Sequence, residues 1–481
     1  MSSCLVFSLP KTSRPDNQKT MKTRKQSIIF STILTLVMVF SGFGCKGLSQ
    51  QDQAAVRPVT LNYWTVYNDV DELKKYAAEY KLLRPQVTVN IRQVRYEEFD
   101  QLFTNALADD VGPDIVSMHI RWLKKNQGRL SPAPASVQVP RLVIKNQYTK
   151  EQQVVVDTIP LPKEKDIQTQ YVNSVQKDVV IDGKIYGLPL AFDSLALFYN
   201  QTLLDRAGVA EAPKTWDEFV DAVKKSTRFS SALDITQSGV ALGTSNNIDN
   251  FFDIVSLFML QSSVAPITGN TVTFANGVDR TPDRSNPMIQ ALDFYTGFAR
   301  PTADRYSWNE KQHNAFDEFV RGKTTFFLGF AYDYPRIKAQ APQLNIQIAP
   351  VPQLNPGSPS NVANYWVESV VKKSKYQNEA WDFVRFISSK EKVKTYTQKT
   401  FRPSPYREQV AEQQKDDKMG PFATQALFAD NWYRGRESDI ATSAMKDLVT
   451  EFLRPGNNEQ ETLKKDKAVI INTAAKIQQT Y

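Results

Sequence analysis

Between Val59 and Ile120 strand-like and helix-like segments alternate with little chain between them, and this order restricts the fold more than any single motif does. "VTLNYWTVY" (Val59 to Tyr67) is β-branched and ends in aromatics. Asn68 or Asp69 then caps a helix that sets Leu73, Tyr76, Ala77, Tyr80 and Leu83 on one face, and Pro85 stops it. "VTVNIRQV" alternates as a strand. "YEEFDQLFTNALADD" aligns Phe99, Leu102, Phe103, Ala106 and Leu107 as a second helix, and "DIVSMHI" is a third strand. Strand, helix and strand in turn predict a parallel sheet with right-handed crossovers, hence an α/β protein.

The 481 residues exceed one ordinary core and suit two or three domains. From Ser131 to about Gln170 the pattern fails in proline-rich polar sequence, which reads as an insertion or long loop. A second region opens with "DGKIYGLPLAFDSLALFYN" (Asp182 to Asn200), where a turn and a proline precede an apolar run holding one acid, Asp193. Thr215 and Glu218 form a capping box. "NFFDIVSLFMLQ" reads as a buried helix, "AFDEFVRGKTTFFLGF" as helix, glycine turn and strand, and "DYPRIKAQAP" with "NIQIAPVPQ" as a further helix and strand. "EAWDFVRFIS" puts Ala380, Phe383, Val384 and Ile387 in helical register, and the last hundred residues read as mostly polar-faced helix.

Residues 1–44 read as a leader. Met21 to Lys25 is a positive n-region, Ile28 to Phe40 is apolar, and Ser41-Gly-Phe-Gly-Cys45 follows. The apolar run is shorter than the roughly 20 residues a spanning helix needs. Met21 fits the start of a signal peptide better than Met1, because residues 1–20 are polar. Cys45 resembles the lipidated cysteine of a bacterial lipobox, with Gly42 where that pattern usually has leucine. An ordinary secretory leader cut nearby is the alternative. Residues 45–58 would then be a lipidated cysteine and a polar tether. Without the leader, Cys45 is the one cysteine left, so no disulfide framework is available. Five of the eight net positive charges lie in the leader, and the remaining three are too few to argue for nucleic acid.

Several chemistries lack material. His119 and His313 are the only histidines, which leaves almost nothing for imidazole triads, histidine zinc sites or proton relays. The Gly183-Lys184 and Gly322-Lys323 pairs lack the upstream glycines of a phosphate cradle. "DDVGPD" has carboxylates, but not at calcium-loop spacing. No metal or cofactor is implied, and no catalytic residue is assigned.

"GPDIVSM" with Arg121-Trp122-Leu123, then "DGKIYGLPLAFDSLALFYNQTLLDRAGVAEAPKTWDEF", "AFDEFVRGKTTFFLGF", "IAPVPQ" and "EAWDFVRFIS" follow in order. This ordered set, over residues 59–410, resembles the extracellular solute-binding proteins of sugar-type ABC importers, family 1. The resemblance implies a two-lobe, type II periplasmic-binding-protein-like fold, with lobes joined by crossover hinge segments and closing on a ligand. It implies a first lobe of residues 59–189 plus about 351–399, with the insertion at about 131–170. The second lobe is then 190–350 plus about 400–481.

The same resemblance places candidate ligand-binding residues. Trp64, Tyr67 and Asn68 follow the first strand, and His119 and Arg121 end the "GPDIVSM" strand. Phe192 and Asp193 fall at the first crossing, although Asp193 could equally cap a turn or pair with an arginine. Phe330, Tyr332 and Asp333 follow "KTTFFLG"; Asn364, Tyr365 and Trp366 come from "NYW", where family members often have a Gly-Gly-rich turn; Arg402 lies at a third crossing. Trp308 and Trp432 stand in polar surroundings and are weaker candidates. Flat aromatics suit the C–H faces of a sugar, and Asp, Asn and Arg suit its hydroxyls.

The function implied is the lipid-anchored, exported and monomeric binding component of an ABC importer, which delivers a small solute, expected to be a saccharide, to permease subunits at the outer face of the cytoplasmic membrane. Three alternatives stay open: a ligand sensor or adhesin on the same fold, a cell-envelope glycoside hydrolase, or a binder of peptide, polyamine or metal chelate.

Overall fold

The computed structural model describes residues 49–146 and 151–481, and the leader and Cys45 lie outside them. The chain divides into two compact units. The first takes the chain before Arg57 together with Leu142–Val155. Within it, Gln50–Ala55 is a helix, where the sequence reads as a structureless tether; Ser49 Oγ caps it by accepting the Asp52 N–H at 3.0 Å.

The second unit, Arg57–Arg141 with Val156–Tyr481, holds two large sheets, one of six and one of five strands, each with its own core. In the first lobe Val87–Gln93, Val59–Thr65 and Ile115–His119 pair in parallel, Val59–Thr65 in the middle. Trp366–Val371 returns antiparallel beside Ile115–His119, and Leu130–Ser131 and Leu188–Pro189 pair with it in turn. Asp69 is the helix cap: its carboxylate accepts the Glu72 N–H at 2.9 Å, and Val70–Leu83 follows. Leu73, Tyr76 and Tyr80 face the core as the spacing predicts, but Leu83 is exposed. The last turn instead points Arg84 inward, onto Asp382 at 3.2 Å and Asp157 at 2.7 Å.

The second lobe is built on Arg228–Phe229, Ile235–Val240, Thr324–Gly329, Ala196–Asn200 and Ile346–Ala349, in that order across the sheet. The buried helix Phe251–Gln261 packs in its core, and the Thr215–Glu218 capping box starts helix Trp216–Ser226.

Ser136–Asn146 and Glu151–Pro160 pair as a two-stranded sheet in the stretch that reads as an insertion or loop. Pro140 reads as a breaker. In a two-stranded ribbon every strand is an edge, so proline is tolerated.

Three chain segments run between the lobes and bond to one another. Phe192 N donates to Pro403 O at 2.9 Å, and Asn364 N donates to Asp193 O at 3.1 Å. Val351 and Val362 pack in the second core, while Ala363 and Trp366 pack in the first, so this crossing falls at 362–363. At Phe401, left-handed at φ 52°, the third crossing segment first meets the second core. Tyr406, Val410, Ala423, Ala426 and Ala429 still pack in the first before Trp432 and Tyr433 enter the second.

Candidate ligand cleft

The second crossing delivers Trp366 directly into the first sheet, opposite His119. The two rings sit 5.2 Å apart, edge to face. Past His119 the chain turns through Ile120–Trp122, which brings Trp122 to 5.3 Å from Trp366. Helix Tyr96–Ala108 buries Phe99, Phe103 and Leu107. Its first residue, Tyr96, is thereby held 4.9 Å from Trp122. Tyr67, just beyond the first strand, lies 6.1 Å from Tyr96 and 5.5 Å from Trp366. Tyr67 is 54% exposed and Tyr96 38%, whereas His119, Trp122 and Trp366 are buried. The result is an aromatic wall with two open rings and a packed backing.

Beside this wall, four side chains form a closed circuit between the lobes. His119 Nδ1 accepts the Arg121 backbone N–H at 3.3 Å, which assigns the ring proton to Nε2. Nε2 then donates to Asn364 Oδ1 at 3.1 Å. The Asn364 amide bonds Asp253, and Asp253 pairs with the Arg121 guanidinium. Burial pushes the His119 imidazole down to about 3, and Arg121 adds to the effect, so the ring is neutral. Burial pushes Asp253 up, while Arg121 and Asn364 oppose it.

The second lobe presents a shallow recess whose lining includes Asp249, Asn250, Phe316, Tyr332, Asp333 and Arg336. Arg336 pairs with Asp333 at 2.7 Å and lies 4.2 Å from the Phe316 ring. Two of its lining residues, Asp249 and Arg336, lie within electrostatic reach of Tyr67 in the aromatic wall. Burial raises the Tyr67 phenol, Glu97 and Asp249 add to the rise, and Arg336 opposes it.

Of the residues marked from sequence, Tyr67, His119, Arg121, Asn364 and Trp366 come together here. Tyr332 and Arg402 stand at the edge: Arg402 donates to Tyr67 O at 3.1 Å and lies 5.9 Å from the Tyr332 ring. The others are engaged within the fold. Trp64 is buried, with Arg92 at 4.9 Å from its ring. Asn68 bonds Glu368 at 2.7 Å and Ser117 at 2.8 Å. Phe192 and Tyr365 are buried with centroids 4.8 Å apart, and Tyr365 donates to Asp178 at 2.8 Å. Phe330 is buried against Tyr332 at 5.7 Å. Asp333 accepts the Phe330 N–H at 3.0 Å, and burial lifts its carboxyl to about 6. Asp193 accepts backbone N–H groups from Ser194 and Ala331, each at 2.9 Å.

Tyr96, Trp122, Asp253 and Arg336 lie at the cleft and were not marked. Asp253 carried a signal, because it is the one acid in the apolar run "FFDIVSLFML". Trp122 adjoined a marked residue. Tyr96 and Arg336 sit on ordinary amphipathic helices and carried none. Among the described residues no cluster of metal-ligating side chains occurs.

Two α/β lobes joined by three crossings around such a cleft define a ligand-binding protein of the type II periplasmic class. The chain belongs to the bacterial extracellular solute-binding proteins, whose family model matches residues 74–424. It is 23% identical over 360 residues to a candidate binding protein of Brucella abortus, covering 73% of this chain and 76% of that one. It is 22% identical over 425 residues to the multiple sugar-binding protein of Streptococcus mutans, covering 84% and 89%. Among solved structures, an ABC transporter solute-binding protein of Thermotoga lettingae bound with α-D-tagatose superposes with a TM-score of 0.64 at 18% identity, covering 88% of this chain and 99% of that one. At that identity the likeness shows the fold.

Proposed function

We propose that this chain binds a saccharide between its lobes and hands it to an ABC permease, without catalysing a reaction. The aromatic wall carries the reading: Tyr67 and Tyr96 offer open ring faces, and Asp249, Asn250 and Arg336 stand across from them as hydrogen-bonding groups. Flat rings match the C–H faces of a pyranose, and the polar groups match its hydroxyls. The sugar named for the Streptococcus mutans relative and the tagatose held by the Thermotoga lettingae neighbour favour the same ligand class.

Delivery to a permease, export, lipidation of Cys45 at the outer face of the cytoplasmic membrane, and action as a monomer belong to this reading. The family's extracellular character and the lipobox-like leader support it. The lobe division at 59–189 with 351–399, and 190–350 with 400–481, belongs to this reading as an approximate frame. The packing of Val362 in the second core and Ala363 in the first supports a middle crossing near 362–363, while Tyr406, Val410, Ala423 and Ala426 pack with the first core.

Thermal unfolding against mono- and oligosaccharides, peptides and polyamines tests the ligand class. A ligand at 100 times its dissociation constant adds about 2.7 kcal/mol. Stabilisation by one saccharide class, lost in Trp366→Ala, is the expected result. Stabilisation by a peptide or polyamine, with no saccharide active, would overturn the sugar assignment.

A further inference from the structure

Arg121 and Lys125 lie four residues apart on the segment that leaves the first-lobe strand, and each reaches a carboxylate of the second lobe. Arg121 pairs with Asp253, near the start of helix Phe251–Gln261. Lys125 pairs with Glu437 at 3.3 Å, the residue that precedes helix Ser438–Phe452. The side chains of the inner pair are only 13% and 7% exposed. The inner carboxylate is also bonded by Asn364, which is held in turn by His119, and the Arg121 guanidinium covers the Phe252 ring at 4.6 Å.

We propose that the 121–125 segment is an inter-lobe latch: its two ion pairs join the lobes by the chain's own side chains, so closure has stability of its own that does not pass through a ligand. A buried ion pair contributes only when its remaining hydrogen-bonding positions are filled. Here Asn364 fills a position on the carboxylate and the Phe252 ring covers the guanidinium, while Arg121 Nε stays without a partner, so the inner pair adds to closure less than a fully satisfied pair would. Opening the cleft breaks both pairs together, since both rise from one short segment. Arg434–Asp178, at 2.9 Å, also spans the lobes, but it sits next to strand Ala429–Asp430, which pairs with Asn361–Val362 at the middle crossing, close to the hinge.

A consequence for binding follows. If only a fraction of molecules is closed, the apparent dissociation constant is the intrinsic one divided by that fraction. The latch raises the closed fraction, and so tightens binding of any ligand held between the lobes.

The test needs no ligand, so it is decided separately from the saccharide reading. In the full chain with Cys4→Ser and Cys45→Ser, nitroxide labels on Gln101→Cys and Ser443→Cys, both exposed and on opposite lobes, report the inter-lobe distance by pulsed electron resonance. The unmodified pair should give mainly a short distance. Arg121→Asp should shift the short-to-long ratio at least ~10-fold toward long, and adding Asp253→Arg should restore it. If Arg121→Asp does not fold, Lys125→Glu and its partner change Glu437→Lys make the same comparison at the more exposed rim. Distance distributions unchanged by both Arg121→Asp and Lys125→Glu would overturn the latch. A long distance dominating the unmodified protein would overturn it too.

Discussion

The backbone N–H of Ala331 donates to Asp193 Oδ1 at 2.9 Å, tying the first crossing to the segment that leaves strand Thr324–Gly329. The same oxygen accepts from Ser194 N at 2.9 Å, and Oδ2 accepts from Tyr332 N at 3.4 Å. Asp193 is therefore a side-chain splint on three backbone amides beside the hinge. It is 4% exposed. Burial pushes its carboxyl up to about 7, even though the Ala331 amide, Arg402 and the other amides pull it down.

That elevation gives stability a pH dependence of definite sign. The folded value of about 7 lies above the unfolded value of about 3.9, so between them the folded state holds more protons. The contribution is fully present below about pH 4 and is lost as pH rises through 7. A shift of this size corresponds to up to about 4 kcal/mol. Asp193→Asn keeps a carbonyl acceptor for Ala331 and cannot ionise. Its melting temperature relative to the parent should therefore rise by a few degrees between pH 5 and pH 8. Parallel melting curves across that range would contradict the assignment.

Glu368 is a second buried acid of the same balance: burial raises its carboxyl, and the Ser117, Tyr63 and Asn68 donors oppose the rise. It is fully buried on strand Trp366–Val371 and receives Tyr63 OH at 2.5 Å, Ser117 Oγ at 2.6 Å and Asn68 Nδ2 at 2.7 Å. It forms no ion pair among the described residues, so the hydroxyls and the amide hold it in place. Each donor left without a partner costs about 1–3 kcal/mol. Glu368→Leu strands three and should lose several kcal/mol in urea unfolding. Glu368→Gln keeps one acceptor, lets the hydroxyls rotate, and should lose less. Equal stability of the two variants would remove the network from the account.

The aromatic wall separates contact from packing. Tyr67→Ala and Tyr96→Ala remove open rings, so each should weaken saccharide binding about 5–10-fold with little change in melting temperature. Trp366→Ala removes a buried ring and should weaken both binding and stability, the latter by about 3–5 kcal/mol. Trp308 is the control: it is fully buried in the second core and donates to Asn247 at 3.1 Å. Titrations that rank Trp308→Ala with the tyrosine variants in affinity, once stability is matched, would move the site elsewhere.

What could be read from the sequence follows from how far apart the interacting residues lie. The first three strands and two helices were legible because each element buries one face, and the burial period is local. The Thr215–Glu218 box was legible because both its bonds, at 3.2 and 3.3 Å, close within one turn. The Ser136–Pro160 ribbon was not, because among its described residues only Val137 and Val139 are buried in the core, while exposed apolar Leu142, Ile144 and Val156 hide the alternation in the sequence. Asp193 was placed at the crossing, but its partners Ala331 and Tyr332 are distant in the chain and enter through backbone amides that every residue shares. Asn68, marked as a ligand contact, bonds Glu368 for the same reason: only the folded sheet brings strand Trp366–Val371 beside it.

Phe401 sets backbone strain against packing, and magnitudes decide the outcome. Its φ of 52° is left-handed, which costs a non-glycine residue about 1–2 kcal/mol. Its ring lies 4.4 Å from Tyr334 and 6.4 Å from Phe422, packing that anchors the third crossing to the second core. Removing a buried phenylalanine ring costs about 3–5 kcal/mol, and a half-buried one correspondingly less. Phe401→Gly relieves the strain but loses the ring, so a net loss of about 1–2 kcal/mol is expected. Phe401→Ala loses the ring and keeps the strain, so it should be less stable than Phe401→Gly by about 1 kcal/mol. That order reverses the usual alanine-over-glycine preference of regular structure. Urea unfolding of the two variants, with the ring absent from both, sets the alanine's strain against the extra unfolded-chain entropy of glycine. Alanine equal to or above glycine would mean that the strain at the third crossing does not outweigh that entropy.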